Sequence, residues 1–164
     1  MFKIRLLILL LINFLIVSCS NYSGDKKIKL SVGYISGEYD GLVLSNQLMS
    51  DLNNFGMLDK KSIYKIQASI SHSQNLFITN IDNTSDRERI TSSVEINIYN
   101  EQLDCITHKF TEDVSQFYVL APSDRFISNK TAVEEIKLQN TQYFVRKFIN
   151  GLTDESLNCN SIKQ

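Results

Sequence analysis

The chain has 164 residues, a formal net charge of −1 at pH 7 and 43% hydrophobic residues, which suits one globular domain of ordinary size. The near balance of charge excludes the strong positive field that recruits nucleic acid, so we expect no nucleic-acid partner. With only two histidines and three cysteines, we also expect no metal site and no cofactor.

The first nineteen residues have the pattern of a bacterial export signal that ends in a lipidation site. Lys3 and Arg5 form a positive start, and residues 6–17 form an apolar stretch that is shorter than the roughly 20 residues needed to span a bilayer. The Ser18-Cys19 pair follows an aliphatic residue, an order that resembles the bacterial lipobox. We therefore predict that residues 1–18 are a signal peptide and that Cys19 is acylated and becomes the first mature residue.

Acylation of Cys19 would hold the mature domain at a membrane surface. Each buried methylene contributes about 0.8 kcal/mol, and two or more acyl chains give stable anchoring. Bacterial lipoproteins that stay at the inner membrane typically carry aspartate after the lipidated cysteine, whereas this chain has Ser20. The resemblance implies the periplasmic side of the outer membrane, with residues 19–27 as a short, polar and flexible tether.

The first part of the domain is predicted as a strand followed by a helix. Residues 28–34 have the two-residue period of a half-buried strand. The apolar side of this strand carries Ile28, Leu30, Val32 and Tyr34. Glycines and Asp40 then interrupt the pattern, and a helix is expected from about residue 41 to 55, ending at Gly56. The apolar stripe of this helix is predicted to be Leu44, Leu48, Leu52 and Phe55.

Three further strands are predicted from alternating apolar and polar residues, at 62–72, 89–98 and 105–118, and the first of them is expected to continue or bulge through residues 76–79. A polar loop at 80–86 separates the first two, and a hairpin turn at 100–104 separates the last two. The apolar side of the last strand is expected to carry Ile106, His108 and Phe110.

A longer helix is predicted from about Ser128 to Leu152. Its buried stripe is expected to contain Val133, Ile136, Asn140, Phe144, Phe148 and Ile149. The order strand, helix, three strands, helix predicts an α+β fold: a two-layer sandwich in which a four-stranded, mostly antiparallel sheet carries two helices packed on one face. We assign this domain to residues 28–152 and expect the polar tail, 153–164, to be disordered.

Cys105 and Cys159 remain once Cys19 is lipidated. An oxidising periplasm permits a disulfide between them, which would tether the tail to the sheet. The alternative is one buried thiol and one exposed thiol with no partner. The Cys105-Ile106-Thr107-His108 segment has the spacing of half a metal site, but no second ligand pair is near it in sequence.

We do not expect an enzyme. The sequence has no nucleophile-elbow serine, phosphate-binding loop or zinc-protease motif. Glu134 and Glu135 are adjacent on a predicted helix and point about 100° apart, so they cannot form a facing acid–base pair. His72 and His108 are predicted on strand faces, where each is a packed or solvated imidazole.

Residues 28–152 resemble the lipopolysaccharide-assembly lipoproteins (LptE). The resemblance rests on the lipobox at Cys19, the order of the elements and the segment 86–94 that enters a long amphipathic strand. The aromatic segment 116–118 and the closing helix from Glu134 complete it. It implies an accessory subunit that plugs the lumen of the outer-membrane barrel protein LptD and helps deliver lipopolysaccharide to the outer leaflet.

The resemblance also implies lipopolysaccharide contacts through basic residues, here Arg87, Arg89, Arg125 and Lys130. Arginine suits phosphate and carboxylate groups because its guanidinium donates two parallel hydrogen bonds. The alternative is that these cations are scattered on the surface, with Asp86 and Glu88 neutralising the arginines locally.

A second hypothesis is a lipid-anchored adaptor of another periplasmic machine, such as an ABC-transporter auxiliary lipoprotein or a secretin pilot. An adaptor of this kind should keep an exposed apolar groove, whereas a plug should be polar on most faces. The outward sides of the predicted strands carry Ser, Thr, Asn, Gln and Lys, which fits a polar barrel lumen and a solvated sheet face equally well.

Overall fold

The structure is a computed structural model that describes residues 28–77, 87–120 and 126–152, together with Leu157 and Cys159. The predicted signal peptide and the tether that begins at Cys19 lie outside these residues, and so does Arg125.

The described residues form an α+β fold with a single sheet. The elements are, in chain order, β1 (Ser31–Ser36), α1 (Glu38–Asn54), β2 (Tyr64–Phe77), β3 (Arg87–Asn100), β4 (Cys105–Val119) and α2 (Phe126–Gly151). The sheet order is β1-β2-β3-β4. β1 is parallel to β2, because α1 returns the chain to the end of the sheet where β1 began, and the other two pairs are antiparallel. The predicted architecture is confirmed, with a mixed sheet.

The pairing defines two ends of the sheet. At the near end β1, β2 and β4 begin, and Tyr64 lies opposite Asn100. At the far end Arg87 lies between Phe77 and Val119. Since β3 has 14 residues, each rising about 3.3 Å, the two ends are roughly 45 Å apart. β1 has only 6 residues, so the sheet is three strands wide at the far end.

Both helices pack on one face of the sheet and enclose the core. Val94, Ile96 and Ile98 of β3 are buried with Phe144 and Phe148 of α2 in one apolar cluster. Buried and partly exposed residues alternate along β3, while α1 buries Leu44, Leu48 and Leu52 at helical spacing. The two sequence periods therefore identify the core-facing sides of β3 and α1 correctly.

The first helix begins earlier than predicted, at Glu38. Gly41, the residue at which the helix was predicted to start, lies buried within it, and a Cβ there would stand 2.7 Å from the carbonyl oxygen of Ser36. Gly37 has a φ of 120° and would place a Cβ 2.6 Å from the carbonyl oxygen of Ile70. These two glycines allow α1 to start directly against the sheet, because no side chain keeps the backbones apart.

Three residues predicted on apolar sides are exposed. Tyr34 is 76% exposed because the pairing of β1 with β2 shifts after Val32, and Phe55 is 45% exposed because α1 has already ended at Asn54. Ile106 is 41% exposed.

The exposure of Ile106 results from a β-bulge. The pairing of β3 with β4 shifts between Ile98 and Tyr99, and Thr107 turns inward, where its hydroxyl donates a hydrogen bond to the Ile98 carbonyl at 3.1 Å. A one-residue shift moves a side chain to the opposite face of the sheet. From His108 onward the predicted alternation holds.

Cys105 and Cys159 form a disulfide, with their Cα atoms 6.1 Å apart. Leu157 also packs against the core. The prediction of a disordered tail is therefore wrong at these two described positions, because a covalent bond and an apolar contact attach the tail to the near end of the sheet. The other residues of 153–164 lie outside the described part of the chain.

Candidate functional site

The structure separates the predicted lipopolysaccharide-binding residues. Arg87 and Arg89 are exposed on the face of the sheet opposite the helices, which we call the open face. Lys130 is exposed near the start of α2, on the helical side. All three lie toward the far end, but the sheet stands between the two arginines and the lysine. Arg125 and Cys19 lie outside the described residues.

Glu88 lies on the opposite face of the sheet from the two arginines. Because successive side chains of a strand point to opposite faces, Glu88 points toward the helices and is only 9% exposed. The hydroxyl of Tyr118, on the neighbouring strand, donates a hydrogen bond to its carboxylate. Neutralisation of the arginines by Glu88, one of the sequence alternatives, would therefore have to act across the sheet. Asp86 lies outside the described residues.

A cleft of about 390 Å³ opens between α2 and the far end of the sheet. Glu88, Tyr118 and Gln74 form part of its wall, and Leu120 and Lys130 also line it. Burial and the hydrogen bond to Glu88 raise the pKa of Tyr118 to about 12, so its hydroxyl stays protonated at neutral pH. The side-chain amide of Gln74 donates to the same hydroxyl at 3.4 Å.

A chain of hydrogen bonds crosses the interior beside this cleft. Gln116 of β4 donates to the amide oxygen of Asn140 at 2.5 Å, and Asn140 donates to the hydroxyl of Ser92 at 2.8 Å. Ser92 lies 2.7 Å from Nδ1 of His72. The network joins β2, β3 and β4 to α2, and each buried polar group in it has a partner.

The network fits a neutral His72. Ser92 already accepts a hydrogen bond from Asn140, so its own proton is available for Nδ1 of His72 when that nitrogen is unprotonated. Burial lowers the pKa of His72, and Lys137 acts in the same direction, whereas Asp40 and Glu134 oppose it. The neutral imidazole is therefore favoured at neutral pH.

His72 also faces a cleft of about 240 Å³ between the two helices. Ser92 is completely buried, so a substrate in this cleft cannot reach its hydroxyl. His108 has its pKa lowered by burial and lies beside the ring of Phe148, with 6.2 Å between centroids. Each histidine is packed in the fold.

Within the described residues, no group of three or more His, Cys, Asp or Glu side chains is placed to hold a metal ion. In the same part of the chain, no helix is both long enough and apolar enough to cross a membrane.

The middle part of the open face is polar. Its side chains include Gln67, Ser69, Ser71, Ser73, Thr91, Ser93, Glu95, Asn97, Lys109, Thr111, Asp113 and Ser115. Some of them pair across strands: Thr91 lies 2.9 Å from Ser115, and Lys109 forms an ion pair with Glu95 at 3.1 Å. Apolar side chains also lie on this face, at Ile106 toward the near end and at Phe117 and Val119 toward the far end.

Sequence reasoning missed both the Tyr118–Glu88 pair and the internal network. A signal for the network was present, since Asn140 lies on the predicted apolar stripe of α2 and Ser92 on the apolar side of β3. A polar residue in such a position indicates a buried hydrogen bond. The partner of each residue depends on how α2 lies on the sheet, and the sequence does not contain that information.

Comparison with known proteins identifies solved structures with a similar fold but does not assign the chain to a family. No family model matches the chain, and neither does any curated protein. Rare lipoprotein B from Shewanella oneidensis superimposes with a TM-score of 0.55 at 13% identity, over 74% of this chain and 94% of that one.

Two other solved structures of bacterial lipoproteins also superimpose on this chain. Uncharacterized lipoprotein B from Nitrosomonas europaea has a TM-score of 0.54 at 10% identity, over 76% of this chain and 81% of that one. The minor lipoprotein from Acinetobacter baumannii has a TM-score of 0.51 at 17% identity, over 73% and 91%. This chain shares the fold of these bacterial lipoproteins. At such low identity the likeness concerns the fold alone.

Proposed function

We propose that the protein is an outer-membrane lipoprotein, anchored on the periplasmic side through acylated Cys19, and that it acts as an accessory plug subunit of the LptD barrel in lipopolysaccharide assembly. The signal pattern and lipobox of residues 1–19 support the anchor. The fold shared with several bacterial lipoproteins supports the class of protein.

The polar open face is the observation that carries the plug assignment. A partner that covered this face with apolar side chains would leave its hydroxyl and amide groups without hydrogen bonds, which is costly. The lumen of a large outer-membrane barrel is polar and supplies donors and acceptors. Hydroxyl groups such as those of Ser71 and Ser73 can both donate and accept, so they adapt to such a wall.

The test is purification of the lipidated protein from its native membrane, followed by identification of the proteins that co-elute. We expect an outer-membrane barrel in a one-to-one ratio. The variant Ser71→Arg/Ser73→Arg, which places two large charges on the open face, should lose most of the barrel. A matched control, Ser50→Arg/Asn53→Arg, changes exposed positions of α1 and should retain it. Equal recovery with both variants would exclude the open face as the contact.

The anchor has a separate test. Replacement of Cys19 by alanine should abolish incorporation of a fatty-acid probe, because the thiol is the acylated group. Equal labelling of wild type and Cys19→Ala would remove the lipoprotein assignment.

Lipopolysaccharide contact belongs to the same proposal. Arg87 and Arg89 lie side by side on the open face, where their guanidinium groups can meet phosphate groups together. Lys130 reaches the far end from the helical side and lines the far-end cleft. An anionic lipid at the far end would meet the arginines from the open face and the lysine from the opposite side.

The alternative is an adaptor of another envelope machine. Its support is the set of exposed apolar side chains at the far end, where Leu76, Val119 and Ile127 are 66, 69 and 80% exposed. In the co-purification experiment, a periplasmic or inner-membrane subunit in place of a barrel would decide for this alternative.

A further inference from the structure

Three exposed lysines, Lys29, Lys60 and Lys61, lie together at the near end of the sheet. We call the surface that they form the near corner. Lys29 precedes β1, and the other two lie in the turn before β2. A backbone bridge between Leu30 and Leu58 and a 2.6 Å hydrogen bond from the Ser62 hydroxyl to the Lys29 carbonyl hold this turn against the start of β1.

The acidic residues at the near end do not cancel this charge. Glu101 forms an ion pair with Lys65 at 2.5 Å, so these two neutralise each other. Asp104 belongs to the β3–β4 hairpin, and at about 4.8 Å per strand it lies roughly 12 to 14 Å from β1, which puts it beyond the ~8 Å screening length from Lys29, just before the start of that strand. Asp59, next to Lys60 in the chain, is the acidic residue within the near corner itself.

One of the three lysines also has a structural contact. The ammonium of Lys29 donates a hydrogen bond to the carbonyl of Gly56 at 2.5 Å, where it complements the carboxyl end of α1. Asp59 accepts a hydrogen bond from the backbone N–H of Lys61 at 2.9 Å, which leaves the Lys61 ammonium outside that contact. Lys60 and Lys61 are therefore the two residues to change in an experiment.

The near corner is also where the tether enters the domain. The described chain begins at Ile28, and residues 19–27 can extend at most about 30 Å. An acylated Cys19 would thus hold the near end close to the headgroups, while the far end is roughly 45 Å away along the sheet.

We propose that the near corner is the surface that faces the membrane and that its lysines contact anionic phospholipid headgroups of the leaflet that holds the anchor. This inference rests on the proposed anchor at Cys19. One lipid attachment and one basic patch act together more strongly than either alone. The contact orients the sheet, so that its far end, with Arg87 and Arg89, points away from that leaflet.

The experiment measures the acetylation of each lysine by mass spectrometry in the purified, acylated chain. The chain is reconstituted in vesicles of phosphatidylcholine, with or without phosphatidylglycerol. We expect phosphatidylglycerol to lower the acetylation of Lys60 and Lys61 by about threefold or more and high salt to restore it, since screening weakens headgroup contacts. Lys109, in the middle of the open face, and Lys130, near the far end, should react equally in both vesicles.

A pair of variants distinguishes the effect of the positive charges from the effect of changing the side chains. In the wild type, phosphatidylglycerol should also lower the acetylation of Lys29, and in Lys60→Glu/Lys61→Glu this protection should disappear. In the control Lys60→Arg/Lys61→Arg, which keeps both charges, Lys29 should stay protected. Equal acetylation of Lys60 and Lys61 in the two vesicles, or protection of Lys29 in the glutamate variant, overturns the proposal.

The mass of the N-terminal peptide reports the anchor in the same samples. An acylated chain that co-purifies with a barrel but shows no protected lysine overturns the membrane-facing surface alone. A chain without acylation overturns this inference and the proposed anchor together.

Discussion

Asn140 of α2 donates a hydrogen bond to the hydroxyl of Ser92 on β3, with 2.8 Å between Nδ2 and Oγ. Both residues are at most 1% exposed. Gln116 of β4 donates to the same Asn140 side chain from the other direction at 2.5 Å. Within an otherwise apolar interface, these groups are satisfied in one position of the helix along the sheet, so the network sets how α2 docks.

The first prediction concerns this network. Replacing Asn140 with leucine removes the partner of Gln116 and one of the two partners of Ser92, which keeps its contact with His72. An unsatisfied buried polar group costs about 1 to 3 kcal/mol. We expect Asn140→Leu to lower the free energy of unfolding by about that amount in denaturant titrations. Asn150→Leu, at an exposed position of the same helix, should leave the free energy of unfolding nearly unchanged. Equal stability of the two variants would show that the network contributes little.

Phe148 is 1% exposed and contacts Phe110, with ring centroids 5.8 Å apart. Truncation of a buried phenylalanine to alanine costs about 3 to 5 kcal/mol, so Phe148→Ala should lower the melting temperature sharply. The matched control is Phe55→Ala, the same chemical change at a position that is 45% exposed. An unchanged melting temperature in Phe148→Ala would contradict the packing of α2 described here.

The disulfide should stabilise the domain by restricting the unfolded chain. For a sequence separation of 54 residues, loop-closure entropy predicts about 4 kcal/mol. Cys159→Ser should therefore melt at a lower temperature, and reductant should destabilise wild type but not the variant. Alkylation without reduction should leave Cys105 and Cys159 unmodified. Modification of both thiols in the folded, air-oxidised protein would exclude the bond.

Stability should fall as the pH drops below about 6.5, because His72 is more acidic in the folded protein. Its pKa is lowered mainly by burial, so the unfolded chain binds a proton more readily than the folded one. A neutral His72 therefore contributes its full share of stability at pH values above the pKa that it has in the unfolded chain. This share is lost as the pH falls toward the lower pKa that His72 has in the folded protein. Denaturant midpoints at about pH 7.5 and pH 5.5 measure it.

His72→Gln should reduce this pH dependence, since an amide oxygen can still accept a hydrogen bond from Ser92 but does not titrate. Some dependence should remain, because burial also lowers the pKa of His108. His108→Gln is the matched variant and should remove another part of the slope. If His72→Gln kept the full slope of wild type, the assigned protonation of His72 would be wrong.

The last prediction concerns anionic lipid at the far end. Arg87→Glu/Arg89→Glu should weaken binding of purified protein to lipopolysaccharide, and more so at low salt, because exposed charges are screened beyond about 8 to 10 Å at physiological ionic strength. Lys130→Glu, tested alone, reports whether the helical side takes part. The barrel should still co-purify. If the double variant bound lipopolysaccharide as tightly as wild type, Arg87 and Arg89 would not be part of a lipopolysaccharide site.

The periodicity of the sequence predicted most of the fold. Alternation along β3 identified its buried side correctly, and so did the apolar stripe of α2 that contains Phe144 and Phe148. These predictions held because side-chain direction follows backbone geometry within one element. They were wrong at Tyr34 and Ile106, where a shift in strand pairing changes direction without a sign in the sequence.

The residues proposed for the site were known from the sequence, but their arrangement was not. The sequence by itself determined the lipobox pattern, the core-facing sides of most elements and the presence of basic residues near the start of β3. Only the tertiary structure decided that Glu88 points away from Arg87 and bonds Tyr118, that Asn140 meets Ser92, and that Cys105 pairs with Cys159. The physical reason is that such contacts join residues tens of positions apart, and their distances depend on how elements pack together.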